Sequence, residues 1–250
     1  PFTLLAMKAT KQRYPDKTLI LAGVGPKAVE QPILERFPWV DIIARGESET
    51  SAPLLMDALK HGGDLHRVPG ISFRDDDCNV VHTPRPARLQ QLDAISPPSW
   101  RHVDLSGYTG FGVITSRGCP FPCTFCSVAP VWDHEPYHRS VESVVEEMRF
   151  LKEQGGAKLV LFQDEYFLTG RSRVLAFCDA LQREGLDMMW KAFGRINLSD
   201  ADMMKRMAET GCVEIRFGVE SGSDRVLELC RKGFTAEQVV PVVAEATKIF

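Results

Sequence analysis

From residue 112 onward, apolar runs alternate with amphipathic stretches in unbroken succession. Strands are predicted over 112–116, 158–162, 188–193 and 213–219, and helices over 140–154, 171–184, 199–210, 224–230 and from 235 onward. A helix that follows each strand carries the chain back to the same edge, so such a series builds a parallel sheet with helices on it. In the helix over 140–154, Val141, Val144, Val145, Met148 and Leu151 share one stripe; a stripe of that width faces a sheet. Ser140, Ser199 with Asp202, and Thr235 with Gln238 as a capping box, are read as helix starts. Four parallel strands do not close a barrel, and the last helix runs into Lys248-Ile249-Phe250 without a Gly or Asn stop. The expectation is an incomplete parallel (β/α) barrel over 111–250, truncated at its C-terminus.

The first third has a different rhythm. An apolar run over 18–22, a helical stretch over 27–36, a second run over 39–43 and an amphipathic helix over 51–61 make a Rossmann-like α/β fragment. Two short strands, 71–74 and 80–82, flank Asp75-Asp76-Asp77-Cys78-Asn79 and close it as a hairpin. This half-domain is placed at 1–83, and the absent first strand and initiator Met suggest a piece of a longer protein. Between 84 and 110 the chain carries four prolines and little periodicity, including Ser96-Pro97-Pro98-Ser99-Trp100, which reads as an interdomain linker.

Composition narrows the class. The 250 residues are 44% hydrophobic and 25% charged, the balance of a globular protein. No stretch approaches the ~18 uninterrupted apolar residues of a membrane helix. A net charge of −3 with interspersed signs gives no basic face for nucleic acid, so a small-molecule or peptide substrate is expected. Seven cysteines, an odd number, without a signal segment fit a reducing cytoplasm better than a disulfide framework.

Three of those cysteines carry the chemistry. Cys119, Cys123 and Cys126 form a C-x3-C-x2-C run within Arg117-Gly118-Cys119-Pro120-Phe121-Pro122-Cys123-Thr124-Phe125-Cys126. The run follows the first strand of the parallel series, and ligands of such folds bind at that sheet edge. Structural zinc wants four ligands, for which His134, His138 or a distant cysteine are the remaining candidates. An iron–sulfur cluster held by three thiolates leaves one iron open, which is a catalytic position. Cys78, Cys178, Cys212 and Cys230 read as structural.

This loop, with its aromatic before the last cysteine, resembles that of the radical S-adenosylmethionine (SAM) superfamily. The resemblance implies a four-iron, four-sulfur cluster on Cys119, Cys123 and Cys126, with SAM chelating the fourth iron and Phe125 near the adenine. Phe162-Gln163-Asp164-Glu165-Tyr166-Phe167 stands where the family contacts the SAM amino group, which implicates Asp164 and Glu165, although the Gly-Gly-Glu form of many members is absent. Arg195 ends the third strand, Gly218-Val219-Glu220-Ser221-Gly222-Ser223 follows the fourth, and Arg231-Lys232 comes next. By the same resemblance Glu220 and Ser221 meet the ribose or amino group, and Arg195 or Lys232 the carboxylate.

Residues 18–70 carry a second resemblance. Leu21-Ala22-Gly23-Val24-Gly25-Pro26, the segment Val40-Asp41-Ile42-Ile43-Ala44-Arg45-Gly46-Glu47-Ser48-Glu49, and Val68-Pro69-Gly70-Ile71-Ser72-Phe73 are similar to the second half of the cobalamin-binding domain that precedes many radical SAM barrels. Gly23, Gly25, Arg45, Gly46 and Glu47 are the implied cobalamin contacts. The Asp-x-His-x-x-Gly loop that supplies an axial histidine in some cobalamin proteins does not occur in the chain.

The two resemblances imply a cobalamin-dependent radical SAM enzyme that cleaves SAM reductively, draws electrons from a low-potential donor such as flavodoxin or ferredoxin, and transfers methyl to an unactivated carbon. Alternatives are a cobalamin-associated radical cyclase or rearrangement enzyme, a methylthiotransferase, and a non-catalytic iron–sulfur or zinc protein. Only Cys78 precedes the cysteine run, which argues against the cysteine-rich N-terminal domain of methylthiotransferases.

Overall fold

A computed structural model describes residues 2–23, 25–26, 29–128 and 131–250, with Arg101 through its backbone alone. The chain divides into two compact units, Pro1–Leu89 and Gln90–Phe250.

The first unit runs α1 (Phe2–Arg13), β1 (Ile20–Leu21), α2 (Glu30–Arg36), β2 (Ile42–Ala44), α3 (Ser48–His61), β3 (Ile71–Arg74) and β4 (Val80–His82). Its sheet has the order β1-β2-β3-β4, parallel between β1 and β2 and antiparallel thereafter. All of β2 is buried because both its faces are covered. Ile42 joins Leu55, Ala58, Val68, Ile71 and Phe73 on the α3 side, whereas Ile43 packs with Leu34 and Val40 on the other. The alternation of side chains along a strand makes that division obligatory.

Boundaries depart from the sequence pattern at three places. The run predicted from 39 becomes extended only at Ile42, because Val40 N–H donates to Phe37 O at 2.9 Å and holds a turn there. Helix α3 starts three residues before the predicted 51 and runs through Pro53. The predicted start of the helix over 27–36 falls on Lys27 and Ala28, outside the described residues. Helix α1, which the pattern did not place, buries no residue fully; it is tied down through Leu4, whose carbonyl accepts from Trp39 Nε1 at 2.9 Å.

The second unit contains β5 (Phe111–Val113), β6 (Ser116–Arg117), β7 (Tyr137–His138), α4 (Val141–Gly155), β8 (Leu159–Phe162), α5 (Arg171–Arg183), β9 (Met189–Gly194), α6 (Ala201–Glu209), β10 (Cys212–Phe217), α7 (Asp224–Leu229) and α8 (Ala236–Ile249). Strands β5, β8, β9 and β10 lie side by side in chain order, all parallel. Val144, Val145, Met148 and Leu151 of α4, Val174, Phe177 and Leu181 of α5, and Met203 and Met207 of α6 join one core with the sheet. Trp190 is its centre: fully buried, it meets Phe162, Phe167 and Phe177 at ring-centroid distances of 5.7, 5.4 and 5.5 Å. Its indole N–H donates to Thr210 O at 2.9 Å, so the burial leaves no polar atom unsatisfied.

Two readings need correction. The cap of α6 is Asp200, whose Oδ1 accepts from Met203 N–H at 2.9 Å; Ser199 instead donates to Arg195 O at 2.9 Å. A carboxylate at a helix N-terminus gains from the backbone dipoles as well as the hydrogen bond, which favours the aspartate. The stretch 84–110 is also no free linker. Gly70 N–H donates to Pro84 O at 2.8 Å and Leu89 N–H to Glu47 at 2.8 Å, within the first unit. Leu105 enters the core of the second, and Trp100 packs against it with its ring edge-on to Phe111. Pro-rich composition removes periodicity without preventing burial.

Truncation at the core centre gives a direct check on this packing. Trp190→Ala is expected to lower unfolding stability by about 3–5 kcal/mol in urea titrations. Val240→Ala, at a side chain 70% exposed, is expected to stay within about 0.5 kcal/mol.

Candidate functional site

The cysteine loop leaves the sheet by a narrow neck. Strand β5 stops at Val113, short of the predicted 116, and Ser116 and Arg117 turn aside to pair antiparallel with His138 and Tyr137. Arg139 N–H donates to Thr115 O at 2.9 Å just outside that pair. At Gly118 the backbone has φ +104°, and a Cβ there would stand 2.5 Å from Glu135 O, so only glycine lets the two sides of the neck approach. The cysteines lie within the loop so closed, of which Ala129 and Pro130 fall outside the described residues.

Cys119, Cys123 and Cys126 are free, partly buried thiols. Burial pushes the Cys119 thiol up, and the neighbouring Cys123 and Cys126 push the same way while Arg195 opposes. The loop apex rests on the end of α7: Thr124 N–H donates to Cys230 O at 3.3 Å and its hydroxyl to Leu229 O at 3.0 Å. Among the described residues, no three His, Cys, Asp or Glu side chains are grouped to grip a single metal ion. A cluster places each thiolate on a different iron, and three soft thiol donors from one loop, with a guanidinium beside them, suit that chemistry.

Two buried cations face this loop. Arg195, 7% exposed, follows β9; its Nη1 lies 3.7 Å from Cys123 Sγ and its guanidinium 3.7 Å from the Phe121 ring centre. Nε donates to Asn197 Oδ1 at 3.1 Å, and Nη2 donates to the Lys232 carbonyl. Lys232, 5% exposed, has Nζ 3.5 Å from Glu220 Oε1 and 5.6 Å from the ring centres of Phe125 and Phe234. Glu220 adopts φ +67°, a conformation unusual for a non-glycine residue. Gly218 leaves room for its carboxylate, since a Cβ there would stand 2.8 Å from Oε1. Phe125 is 54% exposed.

The remaining residues singled out from the sequence stand differently. Asp164, 3% exposed, accepts from Thr115 N–H at 3.0 Å, Thr115 Oγ1 at 2.9 Å and Ser116 Oγ at 2.6 Å, all on Oδ1. Glu165 accepts from Gly118 N–H and from Trp132 Nε1. Ser221 is turned to its own chain, accepting from Ser223 N–H at 3.1 Å. Phe121, Trp132 and the Thr115-Ser116 pair belong to the site and were not singled out; the hydroxyl pair at a strand end was the available signal.

In the first unit, Gly23 (φ +98°), Gly25 and Gly46 (φ +78°) have no atom within 4 Å of where a Cβ would stand. Val24, between the first two, is outside the described residues. Arg45 and Glu47 are turned inward: Arg45 donates to the carbonyls of Ile71 and Thr83, and Glu47, 6% exposed, accepts from Leu89 N–H with Arg88 3.8 Å away. Burial lowers the Arg45 pKa.

The sequence profile of the Radical SAM superfamily matches residues 113–250, from the last residue of β5 through the cysteine loop and strands β8, β9 and β10. An uncharacterized methyltransferase of Pyrococcus horikoshii is 36% identical over 231 residues, covering 90% of this chain and 50% of that protein. Anaerobic magnesium-protoporphyrin IX monomethyl ester cyclase of Rubrivivax gelatinosus is 28% identical over 244 residues, with 93% and 44% covered. Among solved structures, the radical SAM methyltransferase TsrM of Kitasatospora setae, with tryptophan and a SAM analogue bound, superposes with a TM-score of 0.81 at 18% identity over 99% of this chain and 50% of that one. The cobalamin-dependent radical SAM enzyme OxsB gives 0.75 at 21% identity, with 98% and 37% covered. The chain belongs to the radical SAM superfamily, its fold is a partial Rossmann-like half-domain followed by an incomplete parallel (β/α) barrel, and it spans about half the length of the curated relatives it matches. No helix of the described residues is long and apolar enough to cross a membrane.

The buried carboxylate makes the loop neck sensitive to pH. Burial pushes Asp164 up to about 6, against the hydrogen bonds from the side chains and backbone of Ser116 and Thr115. Because the folded value lies above the unfolded one of about 3.9, the stability this group contributes is complete below that value and is lost as pH rises through about 6. Asp164→Asn keeps one oxygen for the Thr115 and Ser116 donors without the charge. Urea titrations of the metal-free protein from pH 4 to 8 are expected to show the variant gaining on wild type by about 1–3 kcal/mol across that window.

Proposed function

We propose that the whole protein is a radical SAM methyltransferase that works with a four-iron, four-sulfur cluster, SAM and cobalamin, fed by a low-potential electron donor such as flavodoxin or ferredoxin. The observation that carries the reading is the convergence on one partly buried loop of three thiols, an aromatic and two buried cations, drawn from the segments that follow β5 and β9 and the segment after α7. When bound, the cluster supplies the electron that splits SAM into methionine and a 5′-deoxyadenosyl radical, and cobalamin supplies the methyl group.

The residues divide the work by charge. Cys119, Cys123 and Cys126 would hold the irons, and Arg195 beside Cys123 offsets thiolate charge that burial alone disfavours. Lys232 and Glu220 form an opposite-charge pair 3.5 Å apart, suited to the carboxylate and amine of SAM. Phe125, with its ring half-exposed beside Lys232, offers a face for the adenine. In the first unit, the open backbone at Gly23, Gly25 and Gly46 is where a corrin would come close, as glycine edges permit. The substrate is a small molecule or peptide.

Methyl transfer draws support from the methyltransferase relative at 36% identity. A radical cyclisation draws support from the ester cyclases at 28% and 29%. Anaerobic reconstitution of the intact protein is expected to load roughly four irons and four sulfides per chain, and close to none after Cys119→Ala, Cys123→Ala and Cys126→Ala together; unchanged iron in the triple variant would refute the cluster assignment. With reductant, SAM, cobalamin and substrate, methyl transfer is expected to form S-adenosylhomocysteine and 5′-deoxyadenosine in equal amounts, one SAM for each half of the reaction. Deoxyadenosine alone, with no gain in substrate mass, would select the cyclase reading.

A further inference from the structure

We propose that Glu165 is a positioning residue that clamps the two flanks of the cysteine loop, and that the SAM amine is met elsewhere. The inference rests on the reading of Cys119, Cys123 and Cys126 as cluster ligands. Gly118 N–H donates to Glu165 Oε2 at 3.1 Å, and Trp132 Nε1 donates to Oε1 at 2.7 Å. Gly118 immediately precedes the first cysteine and Trp132 lies beyond the third, so one carboxylate ties the inlet of the cysteine segment to its outlet. Each contact joins a neutral donor to a charged acceptor, and such bonds are the stronger kind.

The neck needs such a clamp. Its ladder is two residue pairs, Ser116 with His138 and Arg117 with Tyr137, and a two-stranded ribbon of that length is marginal in water. Asp164 anchors the chain at Thr115 and Ser116, and Glu165, the next residue, takes hold at Gly118 and Trp132. The end of β8 thereby dictates where the loop begins, and Glu165 alone of the two reaches past the cysteines. Each Glu165 oxygen already receives a donor. An incoming amine would have to displace or share one, whereas the Glu220 side chain is 39% exposed beside Lys232.

Glu165→Gln preserves shape but sets an amide N–H against one of the two donors. Trp132→Phe removes the indole N–H and keeps a ring. In the intact metal-free protein, chymotryptic cleavage at Phe125 and Trp132 is expected to quicken about tenfold or more in Glu165→Gln, the loss of one charge-assisted bond. Trp132→Phe is expected to change in the same direction at Phe125, with circular dichroism unchanged in both. After anaerobic reconstitution, Glu165→Gln is expected to hold less than about half the iron of wild type, while its loaded fraction still shows the SAM-induced change in the electron paramagnetic resonance spectrum at SAM concentrations within about twofold of wild type. Wild-type protease resistance in both variants would overturn the proposal. So would a Glu165→Gln protein that loads full iron but loses the SAM-induced spectral change, since that is the behaviour of a SAM contact. If wild type itself took up no iron, the cluster reading would fail, and the protease comparison would still decide the clamp.

Discussion

Two adjacent carboxylates at the end of β8 decide where the cysteine loop stands. Asp164 receives the backbone and hydroxyl of Thr115 and the hydroxyl of Ser116; Glu165 receives Gly118 and Trp132. The first pulls the chain out of β5 after Val113 and so creates the neck. The second holds the flanks of the segment that carries the thiols. Burying an aspartate beside hydroxyls rather than a full counter-charge is costly, as the rise of its pKa to about 6 records. Arg173, whose own pKa burial lowers, interacts with Asp164 and opposes part of that cost. A rigid sheet end is the natural place for such a feature, since the aromatic core around Trp190 fixes β8 and β9 with it.

The electrostatics of the loop follow from the next two strands. Arg195 is satisfied by neutral groups, the Asn197 side chain, the Lys232 carbonyl and the Phe121 ring, so its charge is not cancelled at its own hydrogen bonds. Among the described residues Lys232 pairs with one carboxylate, that of Glu220 at 3.5 Å, whose side chain is itself 39% exposed. The loop therefore sits in a region where two buried cations, Arg195 and Lys232, stand against it. Such a region lowers the cost of thiolates and of any anionic group brought beside them, because the desolvation of the cations has already been met in folding.

Much of this was legible in the residues. The parallel series, its order and the stripe on α4 were readable because a period of 3.6 alternating with short apolar runs admits few other architectures. The cysteine spacing and the approximate stations of Arg195 and Glu220 were readable because each falls after a strand end, and that of Lys232 because it follows the next helix. What could not be read is which way a strand-end side chain turns. Asp164 and Glu165 are adjacent polar residues in a loop, and nothing local distinguishes a carboxylate that faces a ligand from one that receives backbone N–H groups 47 or 49 residues away. The neck strands β6 and β7 escaped for the same reason: two-residue ladders carry no periodicity. The Pro-rich segment misled because proline marks irregular backbone, and irregular backbone with Leu105 in it still packs.

The same distinction between inward and open strand ends separates the elements of the first unit. Arg45 and Glu47 leave β2 on either side of Gly46, the pattern expected of ligand-binding charges. Arg45 instead satisfies the carbonyls of Ile71 and Thr83, and Glu47 receives Leu89 N–H beside Arg88. Together they bind the segment after β4 back onto the sheet, which replaces the loop entropy of a linker with specific hydrogen bonds. The glycines do the opposite. Gly23, Gly25 and Gly46 leave open space where side chains would be, with two of the three in the left-handed region. A cofactor laid along that edge would meet peptide groups rather than charges, and its affinity would depend on shape and backbone hydrogen bonds more than on salt. Charged residues beside a glycine turn are thus better read as the braces that keep the turn in place than as the ligands it presents.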